Sequence, residues 1–252
     1  MLWIVLDRPL VANAVDVATI DTLEVVLDAA ETDRSLRALV LTGSGGNFCA
    51  GADIAENGRR IASGRIDETA EVLGRAADVT DRLAGLPFPV IAAVDGVSFA
   101  GGFELVLAAD LVVATTRARF ADGHVAHGFV PGWGSTVRAP EKLGPAMAAR
   151  LLIGGDTVTA RQLPMLVAEI VEPEQLEQTV TAITDRICAA GPTAIAVVKD
   201  LLRSRSGRSH ADAMAAEHAA LQAHLASAEL AEGAAAFSEH RRPSFPPRQQ
   251  AR

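Results

Sequence analysis

Cysteine is scarce in this chain, and the two present, Cys49 and Cys188, form neither a CxxC pair nor a metal-ligand spacing. That excludes a disulfide framework and fits a reducing compartment. Positive charge is in deficit: 23 Lys and Arg stand against 31 Asp and Glu, a formal net charge of −8. Nucleic-acid binding usually demands a basic face, so nucleic acid is not expected as a partner. The basic residues are dispersed, apart from the tail "EHRRPSFPPRQQAR", which reads as a solvated extension. Long apolar runs are also missing. None approaches the ~20 residues of a membrane span, and "MLWIVLDRPL" lacks the basic start and extended apolar stretch of a secretory leader. These absences together predict a cytoplasmic protein with no membrane partner.

What is present is globular. With 252 residues and 49% hydrophobic content, the chain can bury a sizeable core. "LWIVLDRP" reads as a short strand stopped by Pro9. "DVATIDTLEVVLDAAETD" has helical spacing, with Asp16 as N-cap. "LRALVLTGSGG" and "FPVIAAVDG" read as buried strands, and "GGFELVLAADLVVAT" as a helix that passes into a strand near Asp110. Residues 55–85 have helical spacing interrupted by Gly58 and Gly64. From 141 onward helices dominate, with "LVAEIVEP" as a short strand and 210–240 as one long amphipathic helix. The pattern predicts an α/β core followed by a helical C-terminal part.

Two Gly-rich loops carry chemical potential. "GSGGNFCAGAD" lets backbone N–H groups approach a ligand closely, yet it lacks the Lys-Ser/Thr of a P-loop and does not fit GxGxxG. In isolation it is equally a surface turn. In "VDGVSFAGGFELVLAAD" a strand ends near Gly96 and a helix starts at Gly101-Gly102, offering unpaired N–H donors to an oxyanion. Glu104 falls in the first turn of that helix, where a carboxylate is also simply stabilising. A third stretch, "FADGHVAHGFVPGWGST", follows with two histidines.

Taken together and in this order, the three stretches resemble the enoyl-CoA hydratase/isomerase (crotonase) family, and the resemblance runs over nearly the whole chain, from "LDRPLVANAV" to "EGAAAFSEHRRPSF". It implies a crotonase-like spiral of ββα repeats over residues 1–190. A helical C-terminal region over 191–252 would build a homotrimer or a dimer of trimers. It also implies an acyl-CoA thioester substrate, with coenzyme A belonging to the substrate, no separate cofactor and no metal. By the same resemblance, the N–H groups of Ala52 and Gly101 form an oxyanion hole, Ala50, Asp53 and Ile54 bind coenzyme A, and Ala12 and Asn13 lie along the pantetheine path. The implied activity is hydration of a 2-enoyl-CoA. Isomerisation, decarboxylation, thioester hydrolysis and acyl-CoA binding with little turnover are the alternatives.

Hydratases of this family carry two acid–base glutamates. The first aligns with Glu104, and the second aligns with position 124, where this chain has His124. Three readings stay open. His124 takes over acid–base work, as an imidazole titrating near ~6.5 can; or Glu104 acts alone; or His124 is structural. Asp122 and His127 read as structural or partly exposed residues, and Trp133 as a packing anchor rather than an acyl-chain wall. Ser98 has no His and Asp partners set by any motif, so a serine nucleophile is not expected.

Overall fold

The computed structural model describes residues 1–248. Its elements, in chain order, are β1 (Leu2–Leu6), α1 (Val17–Thr32), β2 (Leu39–Gly43), α2 (Ile54–Ala62), α3 (Ile66–Gly85), β3 (Val90–Val94), β4 (Val97–Phe99), α4 (Gly101–Ala108) and β5 (Leu111–Thr115). There follow β6 (Arg119–Ala121), α5 (Ser135–Leu143), α6 (Pro145–Leu152), β7 (Val158–Thr159), β8 (Glu169–Val171), α7 (Leu176–Ala189), α8 (Pro192–Arg203), α9 (His210–His224) and α10 (Ala228–Ser238).

Five strands form one parallel sheet in the order β1-β2-β3-β5-β8. β3 is buried along its whole length, as a strand covered on both faces must be, which is why its sequence "VIAAV" does not alternate. After each of β3 and β5 the chain makes a short second strand, β4 or β6, before entering a helix. These second strands pair with one another and with β7 in a separate sheet. Single bridges Cys49↔Ser98 and Val15↔Ala52 extend that second layer across the chain. The strand–strand–helix unit thus recurs along the spiral.

Local chemistry explains the helix starts. Asp16 accepts from the Thr19 N–H at 2.9 Å, and α1 then buries Ile20, Leu23, Leu27 and Ala30 on one face. In the 55–85 segment only Gly64, with φ of +77°, breaks the helix; Gly58 lies within α2. The expected long helix over 210–240 is instead two helices. The chain turns at 225–227, and the Ser227 side chain caps α10 by accepting from the Leu230 N–H at 3.1 Å. The apolar spacing had no way to show this break, because Ala-rich sequence continues on both sides of it.

The tail is exposed over 239–244, as expected, but is tied to the core beyond that. Arg37 donates to the Phe245 carbonyl at 3.0 Å, and the Arg248 guanidinium packs over the Phe88 ring. The tail therefore touches the core at Phe245 and Arg248, and 249–252 lie outside the described residues. Inside the C-terminal part, buried Glu229 at the start of α10 accepts from the Thr193 and Ala194 N–H groups at 2.9 and 2.8 Å. A carboxylate here caps the neighbouring helix α8, satisfying donors that α8 cannot satisfy itself. Glu229→Ala is expected to lower stability by about 1–2 kcal/mol, read as a fall in the urea unfolding midpoint; an unchanged midpoint would refute this role.

Candidate functional site

The site grows from the second strand layer. Segment 49–52 lies between Val15 and β4. On one side Val15 donates to the Gly51 carbonyl at 2.8 Å and Asp53 donates to the Val15 carbonyl at 2.8 Å. On the other side Cys49 donates to Val97 and Phe99 donates to Cys49, at 2.9 and 3.0 Å. Strand alternation then turns the Ala52 N–H away from Val15 and toward the space beyond the end of β4, where the chain has already bent into α4. Among the described residues, nothing accepts a hydrogen bond from Ala52 N–H or from Gly101 N–H, the latter being the first donor of α4.

The approach of the two segments is close. A Cβ on Gly102 would lie 2.1 Å from the Cys49 carbonyl oxygen, so only glycine fits. Just before it, Ala100 holds φ of +47°, a conformation that favours glycine and costs on the order of 1–3 kcal/mol. It is held there by its N–H to the Ala121 carbonyl (2.9 Å) and by its carbonyl accepting from Glu104 N–H (3.0 Å). Cys49 is not a nucleophile: full burial pushes its thiol up to about 12.

α4 is buried along its entire length, and Glu104 on it is only 1% exposed. Its Oε1 accepts from the Trp133 and Ser135 N–H groups at 2.8 and 3.0 Å. Its Oε2 stays free of them and faces Nε2 of His124 at 3.9 Å. On its far side, Nδ1 of His124 lies 2.9 Å from Oδ1 of Asp122. Burial lifts the Glu104 carboxyl above its ordinary range, outweighing the two N–H donors and the nearby imidazole. For His124, burial works against the charged ring, but the Asp122 hydrogen bond and the charges of Asp122 and Glu104 prevail and raise it.

The structure thus brings Glu104 and His124 together. It also sets Ala12 beside Ala50, whose N–H donates to the Ala12 carbonyl at 2.9 Å. Ile54 is exposed at the start of α2. Two expected coenzyme A contacts have other employment for their side chains. Asn13 is buried: its Nδ2 donates to the Ser44 and Asn47 carbonyls, and its Oδ1 accepts from Arg8 N–H. Asp53 caps α2 through the Glu56 N–H and pairs with Arg8 at 3.0 Å. Their backbone N–H groups are engaged as well, Asp53 with the Val15 carbonyl and Asn13 with the Arg8 carbonyl.

Asp122 is completely buried, not partly exposed, whereas His127 is exposed. Trp133 is the packing anchor expected, though its ring also lies where a Gly101 Cβ would be, 2.2 Å from the nearest ring carbon. The sequence pattern gave no hint of the backbone donors of Trp133 and Ser135, or of Arg138, which donates to the Trp133 carbonyl at 2.7 Å and steadies that turn. The glycines flanking Trp133 in "PGWGS" were the available signal of a tight turn.

With this geometry in view, the comparisons decide the family. The chain matches the family described as "Enoyl-CoA hydratase/isomerase" over residues 1–248. It belongs to that family. It is 32% identical to a carnitinyl-CoA dehydratase of Proteus mirabilis, over 97% of this chain and 94% of that one. It is 32% identical to a crotonyl-CoA hydratase of Syntrophomonas wolfei, over 95% and 92% respectively. The crystal structure of an enoyl-CoA hydratase from Bacillus anthracis superposes with a TM-score of 0.91 at 28% identity, covering 97% of this chain and 95% of that one. The spiral crotonase fold expected from the motifs is therefore the fold observed.

Two substitutions test the geometry. Gly101→Ala drives a methyl group into the Trp133 ring and shifts the first N–H of α4, so turnover should fall by about 100-fold or more, as when one oxyanion donor is lost. Asn13→Ala leaves loop carbonyls and the Arg8 N–H without partners. It should cost roughly 2–3 kcal/mol of stability in denaturant unfolding while the KM of the folded fraction changes little. A large KM effect with unchanged stability would instead assign the Asn13 side chain to ligand binding.

Proposed function

We propose that this chain is an enoyl-CoA hydratase that adds water across the Cα=Cβ bond of a 2-enoyl-CoA thioester. The observation that carries the reading is the free Oε2 of Glu104 facing Nε2 of His124 at 3.9 Å, beside unpaired N–H groups at the start of α4. A water ~2.8 Å from both atoms can bridge that gap. The hydratase and dehydratase relatives point to the same chemistry.

In this reading the thioester oxygen sits in the hole formed by the Ala52 and Gly101 N–H groups. Glu104 Oε2 takes a proton from water as the hydroxide oxygen bonds to Cβ. The π electrons of the double bond move toward the thioester and form an enolate, whose oxygen carries the charge. Preorganised donors at such a position are worth ~2.7–4 kcal/mol each. The enolate collapses as His124 Nε2 gives its proton to Cα, and the product carries one hydroxyl and one hydrogen from the reactants. Glu104 then returns its proton to His124, restoring both groups.

The active form is a Glu104 carboxylate with a His124 imidazolium. Acid removes it by protonating Glu104, and alkali removes it by deprotonating His124. Both groups titrate above their ordinary values, so kcat/KM should be bell-shaped, with its acid limb above 4.5 and its alkaline limb above 6.5. A profile flat across this range would contradict the pairing.

A thioester panel on wild type, Glu104→Gln and His124→Ala tests the reading. Hydration of crotonyl-CoA or a longer enoyl-CoA should be lost by ~10²–10⁴-fold in each variant. Loss in Glu104→Gln with indifference to His124→Ala would rule out the paired mechanism, and wild-type turnover of other thioesters without hydration would favour isomerisation, decarboxylation or hydrolysis. Tight binding of thioesters without turnover would make the protein an acyl-CoA binder. Trimer assembly belongs to the same reading; it is supported by α9, which has no fully buried residue and exposes Met214 and Leu221, with Leu225 exposed just after it.

A further inference from the structure

Asp122 has no part in the proton transfers above, yet it is 0% exposed. Among the described residues its hydrogen-bond partner is His124 alone: Nδ1 lies 2.9 Å from Oδ1, and Oδ2 has no partner. The other buried carboxylates behave differently. Glu104 and Glu229 each take two backbone N–H groups, and so have a structural reason to be where they are. Asp122 holds no backbone donor, and its burial is costly without compensation.

The backbone explains how carboxylate and ring meet. β6 ends at Ala121, immediately before Asp122, and Gly123 turns the chain with φ of +69°. His124 then enters a helical turn with φ of −58° and ψ of −50°, which brings its ring back over the carboxylate. The charged groups facing that ring are Asp122 from its own turn and Glu104 from α4. An acceptor at Nδ1 fixes which nitrogen carries the proton in the neutral ring.

We propose that Asp122 is a positioning residue: by accepting from Nδ1–H it locks the His124 ring so that Nε2 faces Oε2 of Glu104 and is the atom that gives and regains the proton. The catalytic consequence rests on the hydratase reading, but the tautomer does not. In the ground state the ring would keep Nδ1–H whichever protonation state Nε2 is in. The negative charge behind it would also stabilise the imidazolium.

The deciding experiment combines nitrogen NMR of histidine-labelled protein with kinetics of Asp122→Asn. In wild type, the neutral His124 ring should carry its proton on Nδ1. In Asp122→Asn, the imidazolium loses its countercharge, so the NMR titration of His124 and the alkaline limb of kcat/KM should both move to lower pH. kcat near the alkaline limb should fall by about 10- to 100-fold while KM stays within about twofold. A wild-type ring protonated on Nε2 overturns the proposal, as does a kcat loss in Asp122→Asn with an unmoved pH profile, since burial alone would produce that. If the variant does not fold, the wild-type tautomer still decides. Wild type inert toward every enoyl-CoA would overturn the hydratase reading, while the NMR tautomer would still test the role of Asp122.

Discussion

One buried contact organises the site: Glu104 Oε1 held by the Trp133 and Ser135 N–H groups. It joins α4, which is buried on all sides, to the loop leading into α5. Once that loop is tied down, the chain between β6 and α5 has to pass over the start of α4. This passage places the His124 ring opposite the second carboxylate oxygen and lays the Trp133 ring on Gly101. A carboxylate with one oxygen anchored and the other free has a fixed direction as well as a charge. A freely rotating side chain would lose entropy at each turnover to reach the same geometry.

The rest of the fold holds the other half of the site to the same standard. Parallel strands β2, β3 and β5 deliver their carboxyl ends to one edge, where ligand sites of α/β sheets gather. At that edge Asp95, following β3, binds Thr115 and Arg117, which flank the end of β5. On the other side Asn13 and Arg8 lock the loops around segment 49–52. The strain at Ala100 is tolerated because hydrogen bonds on both sides of it are satisfied. The N–H groups that remain unpaired are therefore held in place before any ligand arrives, which is the condition for strong electrostatic stabilisation.

Features set by neighbours in sequence were legible without a structure. Asp16 as the cap of α1, the buried strand "VIAAV" and the helix starting at Gly101 follow from local patterns, and the three loop motifs in order were enough to name the family. Features set by distant partners were not. Asn13 looks like a ligand contact in sequence, but its amide is consumed by carbonyls more than thirty residues away. Asp122 reads in sequence only as structural or partly exposed, because nothing local tells that it follows directly on β6 and is completely buried. The break at 225–227 and the docking of Arg248 on Phe88 likewise depend on surfaces that exist only after the core has assembled.

A histidine at 124, where the family resemblance leads one to expect a second glutamate, changes the electrostatic problem of the proposed site. Two carboxylates facing each other in a buried space repel, and one must hold a proton for the pair to persist. A carboxylate and an imidazolium attract, so the ionised pair is the favourable one. The cost moves elsewhere: burial disfavours the cation, and the ring needs a countercharge on its far side. Asp122 occupies that side, two residues before the histidine on the same turn. The histidine at 124 and the acid at 122 thus work as one unit in the proposed site, because an imidazole with only Glu104 beside it would lack the acceptor that Asp122 places at Nδ1.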